Sequence, residues 1–303
     1  MCLHYFLDES DARSNECEGL RYACAHGHLE MAKWLVDTFK LTINDVRSRN
    51  CFAFNHGCSH GHLETAKWLV EAFPVQKEDA LADGAYGFTT ACLRGHLETA
   101  KWIADTFELT VADLISEDDE TGEDELPAFG HAAAKGRLEV VRWLARHFGL
   151  TGEHVRMCDN YAIHQSCENG HLEVAKWLKA GFGITAEDVK SEDFAAFIGS
   201  CSSGHLDVAM WVADTFAVTD SEARAQSSEA LRNALVCDHD HVVVWLVERF
   251  GMDVDDMNSV DDPNLELSHR KVLEHVIQHG ASVPVNRKSK CKWKAIAERA
   301  TLQ

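Results

Sequence analysis

No stretch of this 303-residue chain approaches the roughly 18–20 consecutive apolar residues needed to span a bilayer. Its start, Met1 to Glu9, has neither a basic segment nor a long apolar run, so no secretory signal is expected. Positive charge is also scarce: 29 Lys and Arg stand against 49 Asp and Glu, a formal charge of −20. That balance disfavours nucleic acid, whose phosphates need Lys and Arg, and favours a protein partner with a basic surface. Phosphate loops, dinucleotide fingerprints, nucleophile elbows and His-Glu-x-x-His patterns are missing as well. The expectation is therefore a protein of the cytosol or nucleus that is no enzyme, holds no cofactor and engages no membrane.

What the chain does have is a period. Trp34, Trp68, Trp102, Trp143, Trp177, Trp211 and Trp245 follow one another at steps of 34, 34, 41, 34, 34 and 34 residues. Each sits in a variant of one phrase, such as Gly61-His62-Leu63-Glu64 followed by Ala66-Lys67-Trp68-Leu69-Val70. A period of this size marks an array in which each unit buries its apolar faces against its neighbours. Within the phrase, Leu63, Ala66, Leu69 and Phe73 have helical spacing, and Trp68 and Val70 widen the stripe. A shorter apolar segment, Phe52 to Cys58, predicts a first helix before the glycine, and Gly61 provides the tight turn between the two. Asp238 takes the glycine place in the seventh unit.

A third signal follows each second helix. Thr42 to Val46, Thr110 to Leu114, Thr151 to Val155 and Thr185 to Val189 share a Thr, an acid two or three residues on, and an aliphatic, which is close to a capping box. Asn-Gly and Asp-Gly pairs are mostly absent, so the pattern predicts a short third helix and not a β-hairpin.

The recurring Gly-His phrase at Gly27, Gly61, Gly95, Gly170 and Gly204, with the exit-like Val276 to Val283, resembles the ankyrin repeat over about residues 18–284. The wording is similar to divergent arrays of large DNA viruses and unicellular eukaryotes, which would place the protein in a host cell if it is viral. The resemblance implies an all-α solenoid of about seven 34-residue repeats plus caps, acting as a protein–protein interaction scaffold. The family's Thr-Pro-Leu-His opening is missing, with an echo only at His164 and Gln165. The organisation read from the chain is an N-terminal cap at 1–17, repeats over 18–264, a degenerate eighth repeat at 265–284 and a basic tail at 285–303.

The 41-residue step holds an insertion at 116–126, where seven of nine residues from Glu117 to Glu125 are acidic. It is either a solvated loop or a lure for a basic partner. The tail has six basic residues within 287–299 and suits a capping helix, a nuclear signal or a second docking site. The last use would make the protein an adaptor that hands a captured protein to a degradation or signalling machine.

Of the 11 cysteines, Cys24, Cys58, Cys92, Cys167 and Cys201 share a slot that Ala133 and Leu235 fill elsewhere, so that slot is a small packing site. The 18 histidines include three Cys-x-His-x-His runs, from Cys24, Cys58 and Cys237, but their slots point different ways around a turn, and no metal site is expected. The repeat histidines are expected to bond backbone at the inter-helix turn.

The places that vary while the packing slots do not are His26, His60, Arg94, Lys135, Asn169 and Ser203 just before each glycine. Tyr22, His56, Thr90, His131 and Gln165 vary one turn earlier. These are the candidate binding residues. The tryptophan column is either a buried ladder, each ring against the next unit, or a partly open aromatic strip.

Overall fold

The computed structural model describes residues 9–117, 124–257, 273–274 and 276–278. Leu3, Tyr5, Phe6 and Leu7 of the N-terminal cap, most of the eighth repeat and the basic tail lie outside these residues. The chain forms two compact units, Met1–Cys158 and Asp159–Gln303.

The first unit contains four helix pairs: Glu9–Ala25 with Leu29–Phe39, Ser48–Ser59 with Leu63–Ala72, Ala82–Arg94 with Leu97–Thr106, and Pro127–Ala134 with Leu138–His147. The boundary between the units falls within the helix Gly152–Glu168. The second unit continues with Leu172–Phe182, then pairs Ala186–Ser202 with Leu206–Thr215 and Ala225–Val236 with Asp240–Phe250. Among the described residues one two-residue ladder interrupts the all-α pattern, Ser116–Glu117 antiparallel to Asp124–Glu125. It ties the two arms of the insertion together, so part of that segment is a paired stem.

The turn between paired helices is built on the glycine. Gly61 has φ +77°, its N–H donates to the Cys58 carbonyl at 2.9 Å, and the His62 N–H donates to Gly57 at 2.9 Å. A Cβ on Gly61 would lie 2.6 Å from Nδ1 of His96, one repeat on, so backbone and packing both demand glycine. Asp238 holds the same left-handed conformation, φ +59°, as a short polar side chain can.

The third signal forms short helices Ile43–Val46, Lys77–Ala80 and Asp220–Ala223, and 3-10 turns Val111–Asp113 and Val254–Met257. At Thr185 the short helix runs on into the first helix Ala186–Ser202. In each capping box the carboxylate accepts from the backbone N–H three residues earlier: Thr42 to Asp45 at 2.7 Å, Thr110 to Asp113 at 2.7 Å, Thr185 to Asp188 at 2.8 Å and Thr219 to Glu222 at 2.8 Å. Gln76 does the same to Asp79 at 2.8 Å without a threonine. At Thr151 the acceptor is Nδ1 of His154, 3.0 Å away, in place of an acid.

Between the short helix and the next first helix the chain makes a left-handed turn: Asn15 to Cys17, Arg49 to Cys51 and Asp83 to Ala85 all have φ between +48° and +64°. Such a conformation costs roughly 1–2 kcal/mol per non-glycine residue. Side chains from the first helix offset part of this by satisfying the turn's carbonyls. Buried Arg21 donates to Glu16 and Asn15 at 2.8 and 2.7 Å, and buried Asn55 donates to Asn50 at 3.0 Å and to Asp79 at 3.2 Å.

Each first helix contributes one large buried residue to the core of its unit: Leu20, Phe54, Phe88 and Phe129 in the first, and Ile163, Phe197 and Leu231 in the second. Burying each stabilises by roughly 1.5–3 kcal/mol. Each repeat tryptophan stands edge-to-face with the phenylalanine five residues later, ring centres 5.5 to 6.4 Å apart. Trp102 then leans back on Phe54 at 6.3 Å, Trp143 on Phe88 at 6.2 Å and Trp245 on Phe197 at 6.2 Å. These rings pack on the preceding unit and not the next, because the first-helix phenylalanine reaches forward under the following second helix. None of the seven repeat tryptophans is buried: six are half-buried and Trp34 is 50% exposed, so the column is a partly open strip and not a buried ladder.

Candidate interaction surface

The slots before the glycine lie on the last two turns of each first helix, one side of which the core and the turn leave open. In the first unit Tyr22, His26, His60 and Lys135 fill them and are exposed, while His56, Thr90, Arg94 and His131 are half-buried. Rings dominate. Tyr22 stacks on His26 with centres 4.0 Å apart. His56 stacks on Phe52 at 3.6 Å and meets Tyr86 of the next repeat at 4.9 Å. Arg21 lies over Phe52, its guanidinium 4.9 Å from the ring centre. Arg94 donates to the Ser59 carbonyl of the preceding repeat at 3.0 Å. Phe52 and Tyr86 are members that the sequence pattern did not single out. They sit one turn before the variable slot, at a place that alternates with the buried column.

In the second unit the equivalent slots carry Gln165, Asn169 and Ser203, joined by Asn233 and Cys237. Gln165 donates to Glu168 at 2.8 Å, and Asn169 donates to the Gln165 backbone at 2.8 Å. Asn233 donates to Ser202 at 3.1 Å.

The short third helices are committed to their neighbours instead. The capping acid of one repeat takes a cation from the repeat before it. Arg13 reaches Asp45 at 3.2 Å, and Arg47 grips Asp79 with both nitrogens at 2.8 and 2.9 Å. Lys77 reaches Asp113, Lys190 reaches Glu222 and Arg224 reaches Asp256, each at 2.7 Å. Partial burial works to raise the Asp79 carboxyl, but Arg47 and the Gln76 N–H outweigh it and hold it below its ordinary value.

Two repeat histidines bond backbone across repeats, His62 to Ala25 and His239 to Ser202. His62, His96, His205 and His239 each bring their ring against the glycine of the preceding turn, within 2.5 to 2.6 Å of where a Cβ would stand. His241 Nε2 lies 2.9 Å from the Gly204 carbonyl, and Arg137 replaces the imidazole by donating to Leu93 at 3.2 Å. Burial, then neighbouring cationic and imidazole groups, lowers the affinity of His62 and His96 for a proton.

The Cys-x-His-x-His runs separate as their slots require. Cys24 is fully buried and its thiol is pushed up to about 12 by burial, whereas His26 is exposed. Among the described residues no three His, Cys, Asp or Glu side chains gather as a metal would require. The eight described cysteines are free thiols, seven of them buried. Among the described residues no helix is long and apolar enough to cross a membrane.

A family model for ankyrin repeats in many copies matches residues 20–70, and one for ankyrin repeats in three copies matches residues 88–188. The two matched segments together amount to half of the chain. The chain belongs to the ankyrin-repeat family. No curated protein matches it. Ankyrin repeats generally mediate protein–protein interaction. In this chain the repeats keep the glycine turn and the helix pair and put a capped short helix where a hairpin finger is usual.

Proposed function

We propose that this chain is a non-enzymatic scaffold of the cytosol or nucleus that binds a partner protein through the open side of its first helices. One observation carries this reading. The residues fixed by turn, cap and core recur from repeat to repeat, while Tyr22, His26, His56, His60, Thr90, Arg94, His131 and Lys135 differ on the side that packing does not fix. The third helices are unavailable for the same purpose in their cross-linked form, because their capping acids already hold cations from neighbouring repeats.

The charge of −20 by itself favours a basic partner. The acids behind it include Glu30, Glu64, Glu98 and Glu139 on the second helices, each already beside a Lys or Arg three residues on. A basic surface would meet those residues, away from the first-helix slots.

The test is affinity purification with the full chain and with a variant carrying Ala at Tyr22, His56, His60 and Lys135. The expected result is a specific partner that the variant loses while its melting temperature stays close to that of the parent. A partner retained by the variant, or none at all, overturns the assignment.

A further inference from the structure

We propose that the ring-lined strip of the first unit, formed by Tyr22, His26, His56, His60, Arg94 and Lys135, docks an acidic peptide segment of a partner protein and takes up protons as it does so. This rests on the scaffold reading above and adds the sign of the partner's charge, which is opposite to the one the net charge suggests.

The six side chains include two fixed cations and no carboxylate, on a chain with 49 acids, and two acids stand at the edge: Asp83 by His56 and Glu125 by the half-buried His131. Its imidazoles are set up in one way. Nδ1 of His26 lies 2.9 Å from the Tyr22 carbonyl, and Nδ1 of His60 lies 2.9 Å from the His56 carbonyl. A carbonyl can only accept, so Nδ1 carries the hydrogen in His26. At His60 the Ser59 hydroxyl, 3.0 Å from the same Nδ1, gives its own hydrogen to the His56 carbonyl and accepts as well, so Nε2 is the nitrogen left over in both rings. In the neutral ring Nε2 presents a lone pair, which a carboxylate repels. Once protonated it donates a charge-assisted hydrogen bond. Carboxylate binding and proton uptake are therefore one event.

The groups around these rings are mostly imidazoles: His26 faces His28 and His62, and His60 faces His56, His62 and His96. His56 faces His60, Arg94 and Arg21, with Asp83 as the one opposing acid, and burial followed by these neighbours lowers its proton affinity. A partner that brings carboxylates supplies the counter-charge that this cluster lacks. The aromatic faces of Tyr22, Phe52 and Tyr86 add apolar area for the segment's other side chains. A nucleic acid would also offer anions and stacking, but two fixed cations on a body of net charge −20 give it too little to hold.

The experiment pans a library of short random peptides on the full chain near pH 6, then measures the best binder near pH 6 and pH 8. Enriched peptides should be rich in Asp and Glu and should bind about tenfold more tightly near pH 6. Lys135→Glu should weaken binding about tenfold. His26→Gln with His60→Gln should flatten the pH response, and Lys176→Ala, which removes an exposed cation on a second helix of the second unit, should change neither. Enrichment of neutral or basic peptides overturns the inference and leaves the scaffold reading standing. So does an acidic peptide indifferent to Lys135→Glu, or one displaced by oligothymidine. Failure to recover any peptide sensitive to the strip removes both readings.

Discussion

The same slots hold different chemistry in the two units. The first unit fills them with rings and cations apart from Thr90, the second with Gln165, Asn169, Gly199, Ser203, Asn233 and Cys237, which are neutral at the slot. The frame beneath is nearly identical. Gly61 and Gly204 have φ of +77° and +78°, and each would put a Cβ 2.6 Å from the histidine of the following repeat. Phe54 stands 6.3 Å from Trp102 and 5.6 Å from Phe107, and Phe197 stands 6.2 Å from Trp245 and 5.8 Å from Phe250. Folding fixes the frame alike in both units, so the difference on the open side has no packing cause. It concentrates rings and fixed cations in the first unit.

The largest effect should come from breaking the frame itself. Gly61→Val and Gly204→Val each force a branched side chain into a left-handed turn and against an imidazole, and each should cost about 3 kcal/mol in urea unfolding. Costs differing by more than about 1 kcal/mol would mean that the two frames are not equivalent.

A site peculiar to the second unit should respond to pH. Asp240, beside Asp238, is raised to about 7, first by burial and then by that neighbour. Its folded value lies above the ordinary carboxyl value of about 3.9, so the native state holds the proton longer and stability falls as pH rises between the two. Asp240→Asn should therefore stabilise by about 1–2 kcal/mol at pH 8, discounted for solvent screening, and leave stability near pH 4 unchanged. Equal melting shifts at both pH values would refute this.

The capping acids should behave alike in both units. Asp79→Ala and Glu222→Ala each remove a cap and strand a cation, at a cost of about 1–2 kcal/mol by thermal unfolding at neutral pH. Partial burial opposes ionisation at both. Asp79 is nevertheless held below its ordinary value by Arg47 and the Gln76 N–H, and Glu222 by Lys190 and Thr219. The stability they supply is present above the ordinary carboxyl value and is lost as pH falls through the lowered one, so both variants should approach the parent in acid.

The smallest effect should come from exchanging the slots. His56→Gln with His60→Asn gives the first unit the side chains of Gln165 and Asn169. If the open side is free of packing duties, stability should change by no more than about 0.5 kcal/mol. A loss of several kcal/mol would show that the rings are part of the core.

Much of this was legible in the chain. The glycine turn, the two helices, the cysteine slot and the Thr-Asp caps follow from local rules repeated at a fixed interval. Gln76, and Asp253 whose N–H donates to Asp256 at 2.8 Å, were hidden because neither is a Thr, although 34-residue steps from Thr42 and Thr219 land on them. The left-handed turns from Asn15, Arg49 and Asp83 could not be read, since local sequence disfavours them and distant Arg21 and Asn55 offset part of their cost.

The direction of the tryptophans, the histidine against its neighbour's glycine and the Arg47–Asp79 type of ladder are likewise contacts between one repeat and the next, some 30 to 55 residues apart. Sequence by itself determined the period, the helix pairs and the slots that vary, because propensity, capping and amphipathic spacing act within a few residues. Only the tertiary structure decided which neighbour each ring touches and which charges are already paired. It also decided that the open strip of an acidic protein is lined with imidazoles and cations. Those facts depend on how one repeat stacks on another.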